Sequence, residues 1–385
     1  MTRRSSLSDL IIQFTIFLLI IWSPLQIWIL KIDGAGRIPA LFSFISLFLV
    51  ILSSRKVFDK VSLLYLGLLI YIVINGYLKG GYLYHYSKNP LWLMFWSLSK
   101  PYIALLLMNY SLRTNFRRTI NLITLSLLIY CVFCLLFSSS VASRVDLDIN
   151  ANEIALTAAI SYGFILFNAA YKRYSKFKLL SFAIIPFLTT LMTASRMGLT
   201  MIAVVTFYAI IKRSAKPSAK TYIIMFFSLI AFVTLFGYIL NHTEVGTRFQ
   251  STLSTTEENE SLQTGTILDN FGDRGFQYYS SWDLFCENAT TGIGFMSWPL
   301  YNPTNHVCHS EYLFQYLENG LIGIILYLTF LCMLFRKLKQ TISLNNTKYI
   351  LMAMFVSVLF ADFVLWTYSS VAVFALYSVI LTYDK

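Results

Sequence analysis

The chain has 385 residues, 57% of them hydrophobic and only 12% charged, with a formal net charge of +12. Soluble globular chains are about a quarter charged, so half that complement excludes an ordinary soluble domain. The positive balance does not point to nucleic acid either, because basic residues in a membrane protein collect on its cytoplasmic side.

A membrane-spanning helix needs about 20 mostly apolar residues. Stretches that meet or approach this requirement begin at once. The expected spans are 9–30, 38–53, 61–78, 91–110, 120–137, 152–170, 179–194, 197–211, 222–240, 319–335, 349–365 and 368–382. The first follows Arg3 and Arg4 and is too long, and too poor in a small-residue cleavage site, for a removable signal. It reads as a signal anchor with its N-terminus inside. The last two spans are divided only by Trp366 and Thr367. The predicted fold is therefore all-α: a polytopic membrane bundle of about twelve helices with one large external loop.

Loop charges give the orientation. With the N-terminus inside, loops placed inside carry 21 of the 30 basic residues and loops placed outside carry 8, with Lys100 inside a span. That asymmetry predicts both termini in the cytoplasm. The acidic residues lean outward; only Asp9, Asp59 and Asp384 fall inside. The organisation is then an N-terminal bundle of about nine helices (1–240), an external loop (241–310) and about three C-terminal helices (311–385).

The loop opens with a polar stretch, 251–265, lacking apolar periodicity. Tyr278, Tyr279, Trp282, Phe285 and Cys286 then recur at three- and four-residue steps, predicting a short amphipathic helix on the membrane surface. Thr291-Gly292-Ile293-Gly294 reads as a turn. Cys131, Cys134 and Cys332 lie in apolar runs and suit small hydrophobic packing. Cys286 and Cys308 share the external loop and are candidates to pair in an oxidising compartment.

Chemistry-bearing residues cluster on the external side. Arg196 stands at a tight turn between two spans, where it either anchors a helix end by snorkelling or offers its planar fork to a phosphate. Arg274 stands at the predicted start of the loop helix. It forms a surface salt bridge with Asp273 or Asp269, or binds a second phosphate with help from the helix N-terminus. His306 and His309 precede Glu311. They are solvated loop histidines or a general base, with Glu311 orienting the imidazole or acting as the base itself. The spacing is a poor metal site, since no third strong ligand is evident. Glu318, entering a span, is costly unless paired, with Arg196 or Arg274 as candidate partners. Lys100, before Pro101, snorkels at a proline kink or serves an intramembrane site.

The order of these features is informative. Asn152-Glu153 opens a span, and Thr193-Ala194-Ser195-Arg196-Met197-Gly198 follows. A long external loop then carries Arg274 and Thr291-Gly292-Ile293-Gly294. His309-Ser310-Glu311-Tyr312-Leu313 and Glu318-Asn319-Gly320-Leu321-Ile322-Gly323 close it. This arrangement resembles the O-antigen polymerase (Wzy) and O-antigen ligase superfamily of bacterial inner-membrane proteins. The resemblance implies a helical membrane bundle with a large periplasmic loop. It implies a glycosyltransferase that takes glycan from an undecaprenyl-diphosphate carrier with no nucleotide-sugar donor, metal or other cofactor. Arg196 and Arg274 would hold the donor diphosphate. His309 would assist the acceptor hydroxyl, with His306 competing for that role, although many members have asparagine where this chain has Ser310. Lipid-linked repeat units, membrane lipid and a chain-length regulator protein are the expected partners, and nucleic acid is not.

Polymerase is the first expectation, with another lipid-linked repeat unit as acceptor. Ligase, with lipid A-core as acceptor, shares the same donor end. A lipid-linked oligosaccharide flippase is the alternative of another class. Transporters place binding groups near the midplane on paired repeats, whereas the polar groups here gather in one external loop.

Overall fold

The computed structural model describes residues 7–31, 36–53, 57–80, 90–137, 150–172, 174–193, 195–213, 273–301, 310–340, 346–363, 365, 367 and 369–383, with backbone alone for 90–94, 210–213, 273–277 and 346. Among these residues the structure is helical, with no strand. Eight helices come first: α1 (Leu7–Pro24), α2 (Arg37–Leu52), α3 (Lys60–Lys79), α4 (Pro90–Thr114), α5 (Phe116–Phe137), α6 (Ala151–Lys172), α7 (Lys176–Met192) and α8 (Arg196–Arg213). They are followed by α9 (Asp273–Glu287), α10 (Gly320–Gln340), α11 (Asn346–Ala361) and α12 (Val371–Thr382).

Helices stand at eleven of the expected spans; the ninth, 222–240, lies outside the described residues. Among the described residues, five helices are long and apolar enough to cross a membrane: α1 with its extension to Leu30, α3, α5, α6 and α10. Several others are shorter apolar helices, among them α2, α11 and α12. Pro24 has no N–H to donate, and beyond it α1 widens into a π-helical turn, Leu25–Leu30. α3 starts at a capping box, in which the Asp59 carboxylate accepts the Ser62 N–H (2.8 Å) and Ser62 Oγ accepts the Asp59 N–H (2.9 Å).

The last helix differs from expectation. It begins at Val371, not near 368, and its 12 residues rise about 18 Å, less than the hydrocarbon slab. Every residue from Val371 to Leu381 is buried, so α12 is a central helix covered by α4, α6 and α10. The connection before it is also buried, at Asp362, Leu365, Thr367 and Ser370. Non-helical backbone at such depth is tolerated where protein surrounds it.

α6 carries Ala151, Ala155, Ala158, Ala159 and Gly163 on buried positions and packs against α5, α7, α8 and α11. Small residues allow this close approach without a water-driven hydrophobic term. Cys131 and Cys134 are buried as expected, but Cys332 is exposed on the outer surface of α10.

Contacts sort the helix ends into the same two sets as the charge count. At the end assigned to the cytoplasm, Arg113 of α4 pairs with Asp59 at 2.9 Å. Phe116 and Phe167 pack with Tyr383 there, and Thr347 bonds the Tyr383 hydroxyl. At the other end, Tyr71 and Asn75 of α3 meet residues 291–319, and Ser195 meets Asn152.

Candidate functional site

At this second end, Arg196 is the first residue of α8. The Ser195 Oγ, just before it, accepts the Gly198 N–H and reaches Asn152 Oδ1, both at 3.5 Å. A Cβ on Gly198 would stand 2.8 Å from Thr190 Cγ2 and 2.9 Å from Ala155 Cβ, so glycine lets α8 press against α6 and α7. The motif thus fixes a tight turn and leaves Arg196 half-buried. An arginine adds its charge to the positive end of the helix dipole, a combination that suits an anion.

Arg274 occupies the corresponding position in α9, within its first turn; its side chain lies outside the described residues. The remainder of α9 does not present one aromatic face to the membrane as expected. Tyr278 and Phe285 pack against the core and Ser281 is fully buried, whereas Tyr279 and Trp282 are exposed. Ser281 Oγ bonds the Tyr316 hydroxyl (2.7 Å), and the Tyr278 hydroxyl bonds Ser310 Oγ and the Phe363 carbonyl. These hydroxyls dock α9 onto the bundle. Cys286 is exposed on α9, and Cys308 lies outside the described residues.

The two glycine motifs interlock. Ile293 and Gly294 donate their N–H groups to the carbonyls of Leu317 and Glu318 (3.0 and 2.9 Å). Leu321 and Ile322 donate to Ala289 and Thr290 (2.7 and 3.3 Å). At the crossing, a Cβ on Gly292 would lie 2.5 Å from the Glu318 carbonyl, and one on Gly320 would lie 2.5 Å from Gly292 N and Thr290 O. Both glycines have positive φ, +72° and +65°. α3 clamps this crossing from outside. Asn75 Nδ2 donates to the carbonyls of Thr291 (2.7 Å) and Glu318 (3.1 Å), and the Tyr71 hydroxyl donates to Asn319 O (2.8 Å).

Glu318 ends a π-helical turn, Phe314–Glu318, ahead of α10. Its buried carboxyl accepts the backbone N–H of Met296 (2.6 Å) and Trp298 (3.3 Å). The sequence suggested an arginine partner; among the described residues the groups that meet it are backbone amides, and the Arg274 side chain lies outside them. Burial pushes Glu318 up to about 8, with the two N–H groups pulling the other way.

Glu311 is fully buried. Its Oε1 accepts Gln315 Nε2 (2.9 Å) and its Oε2 accepts the Thr367 N–H (3.1 Å). Asp362, beside it, accepts the Tyr327 hydroxyl (2.7 Å) and the Thr367 hydroxyl (2.8 Å). Ser310 caps the helical start: its Oγ accepts the Leu313 N–H (3.2 Å) and donates to Asp362 O (3.0 Å).

The structure therefore brings Glu311 and Glu318 into one interlocked region and sets Arg196 at a helix start on the same end of the bundle. His306 and His309 lie outside the described residues, though His309 directly precedes the anchored Ser310. Among the described residues, no group of three or more metal-ligating side chains converges. Sequence reasoning missed the clamp of Tyr71 and Asn75 and the roles of Thr367 and Tyr327. The signal available was a polar Asn75-Gly76 pair closing an otherwise apolar span, and Asp362 interrupting another.

No curated protein matches the chain. Residues 179–328 match the family model described as O-antigen ligase (Wzy_C), a segment that includes Arg196, Arg274, His309 and both glycine motifs. Over that segment the chain is similar to the O-antigen ligase family, and among the described residues it has five helices long and apolar enough to cross a membrane.

Proposed function

We propose that the protein is a polysaccharide polymerase of the bacterial inner membrane. It transfers glycan from an undecaprenyl-diphosphate carrier to a lipid-linked repeat unit at the periplasmic face. The observation that carries this reading is the family match over 179–328, which spans every residue singled out for the chemistry. Arg196 and Arg274, each in the first turn of a helix, bind the donor diphosphate. The acceptor hydroxyl attacks the anomeric carbon as the bond from that carbon to the diphosphate oxygen breaks. The two guanidinium groups stabilise the charge that develops on the departing diphosphate. His309 takes the proton of the attacking hydroxyl.

Glu311 supports this step from below. Both of its oxygens are engaged and it is shut away from solvent, so it ties Gln315 to the Thr367 backbone rather than taking a proton itself. Glu318 likewise fixes the turn around Met296 and Trp298. The description of the matched family favours a second reading, ligation of the finished glycan to lipid A-core.

Surface polysaccharide from a strain deleted for the gene, run on a gel beside its complement, separates these readings. Core bearing a single repeat unit without a ladder is the result expected of a polymerase. Bare core with long polymer held on the lipid carrier identifies the ligase. Repeat units stranded on the cytoplasmic leaflet identify a flippase, and an unchanged pattern refutes all three.

A further inference from the structure

At the end assigned to the cytoplasm, the start of α5, the end of α6 and the start of α7 come together in one corner. The Lys172 ammonium, last in α6, donates to Asn121 Oδ1 of α5, and Phe116 meets the Tyr171 ring edge-on at 5.7 Å. Arg117 and Arg118 stand in the first turn of α5, and Lys176 and Lys178 in the first turn of α7. Burial, then the charges of Arg117 and Lys178, lowers the Lys172 ammonium, so cations from three helices feel one another. Among the described residues none of these five cations pairs with a carboxylate, whereas Arg113 close by has Asp59. The first turns of α5 and α7 hold no acid either. The dipole of each helix is positive at its start, so basic side chains there add to a field that nothing described in the chain balances.

The surface beside this corner specifies what balances it. Phe177, Leu180, Ile184 and Leu188 are exposed among the described residues and recur at three- and four-residue steps on one face of α7. The track starts next to Lys178, where Phe177 is 82% exposed. From Phe177 to Leu188 the helix rises about 16 Å, the depth of one leaflet's hydrocarbon. Lys178 Nζ is held at the top of the track, 4.6 Å from the centre of the Tyr174 ring and 5.7 Å from that of Phe182. A soluble phosphate meets only the cations; a phospholipid meets both features. We propose that this corner binds an anionic phospholipid of the leaflet it faces, with the phosphate among Arg117, Lys172 and Lys178 and an acyl chain along the α7 track. Basic pockets between helix ends on the cytoplasmic side suit such headgroups. The lipid would tie three helix ends together at the end of the bundle opposite Arg196. The inference is independent of the glycan reading and uses only the membrane and its sidedness.

The test is native mass spectrometry of the full chain purified in detergent. The probes are phosphatidylglycerol, cardiolipin and phosphatidylcholine, with inorganic pyrophosphate as the soluble competitor. The two anionic lipids should stay bound and phosphatidylcholine should not, and pyrophosphate should displace neither. Arg117→Gln and Lys178→Gln should each weaken phosphatidylglycerol binding about fivefold, the scale of one cation at an anionic surface, and the double variant should weaken it further. Lys178→Arg keeps the charge and should retain binding, which guards against a folding artefact. Lys337→Gln combined with Lys339→Gln removes the same charge from the last turn of α10, at the same end of the bundle, and should leave the affinity unchanged. Arg196→Ala should keep lipid binding while losing chain extension, so the lipid site and the transferase reading can fail separately. Equal retention of phosphatidylcholine, or unchanged affinity in the Arg117/Lys178 double variant, overturns the proposal. An equal loss in the Lys337/Lys339 variant overturns it in favour of diffuse surface charge, and displacement by pyrophosphate overturns it in favour of a free-phosphate site.

Discussion

Gly292→Ala is the sharpest perturbation of the interlocked motifs. The new methyl would lie 2.5 Å from the carbonyl carbon and oxygen of Glu318 and 2.6 Å from Gly320 N. These are backbone atoms, which no rotamer change can move aside. Holding an L-residue at φ +72° costs about 1–2 kcal/mol by itself. Separating the two segments enough to seat the methyl loosens the bonds from Ile293 and Gly294 to Leu317 and Glu318, at about 1 kcal/mol each. The total is about 3–4 kcal/mol, a large fraction of a domain's stability. Gly67→Ala is the matched control, because a Cβ there meets nothing within 4 Å and Gly67 lies inside α3. That substitution should be neutral or stabilising by up to about 1 kcal/mol. Intrinsic-fluorescence melting in nanodiscs, read beside the polysaccharide ladder, compares the two. Gly292→Ala should melt several degrees lower with a weakened ladder. If it melts with Gly67→Ala, the close crossing is not a structural requirement and the argument fails.

Other predictions concern charge and hydrogen bonding. Glu318 titrates higher in the folded chain than an ordinary carboxyl, so the stability it contributes is complete below about 4.5 and is lost as pH rises through about 8. Melting of the native protein should therefore fall across that window by about 1.4 kcal/mol per pH unit from this group, and Glu318→Gln should remove that slope; parallel profiles would contradict it. Asn75→Ala strips two donors from buried carbonyls and should cost about 2–3 kcal/mol, with less than additive loss when combined with Tyr71→Phe. Arg196→Ala, Arg274→Ala and His309→Ala should each abolish chain extension while leaving the protein inserted and abundant on an immunoblot. Lysine at either arginine should rescue poorly, because it lacks the bidentate fork. Full activity in Arg274→Ala would remove the diphosphate clamp.

Helix positions were legible from apolar run length, because a membrane demands it of each span separately. The ends were less legible. Pro24 turns α1 into a π-helical extension, and α12 starts late because Asp362 and Thr367 form a buried polar connection that counts, by hydropathy alone, as part of a span. Hydropathy averages a window, and one satisfied carboxyl hardly changes the average. The glycine-rich signatures were visible as motifs, but their contact was not. Residues 291–294 and 318–323 meet through backbone atoms, which leave no side-chain pattern in the sequence. The clamp by Asn75 was hidden for the same reason, since its acceptors are main-chain carbonyls more than 200 residues away.

Ser310 shows how the structure resolves a departure that the sequence only registers. Where many family members have asparagine, this chain has serine, and the position is an N-cap. Serine and asparagine are both favoured there because each offers a side-chain oxygen to an unsatisfied helical N–H. Ser310 uses that oxygen on Leu313 and adds a bond to the Asp362 carbonyl. Serine therefore keeps the capping role that asparagine would fill at this position. That role also explains why so many buried polar groups gather at this one point. A base must be held within a fraction of an ångström of its hydroxyl to be effective. Glu311, Thr367, Asp362 and Tyr327 form a fixed network around Ser310, the next residue in the chain, and the Gly292–Gly320 crossing is clamped by α3. On this reading the carboxylates nearest the loop act through position, and the protonic chemistry is left to His309 in the loop that precedes them.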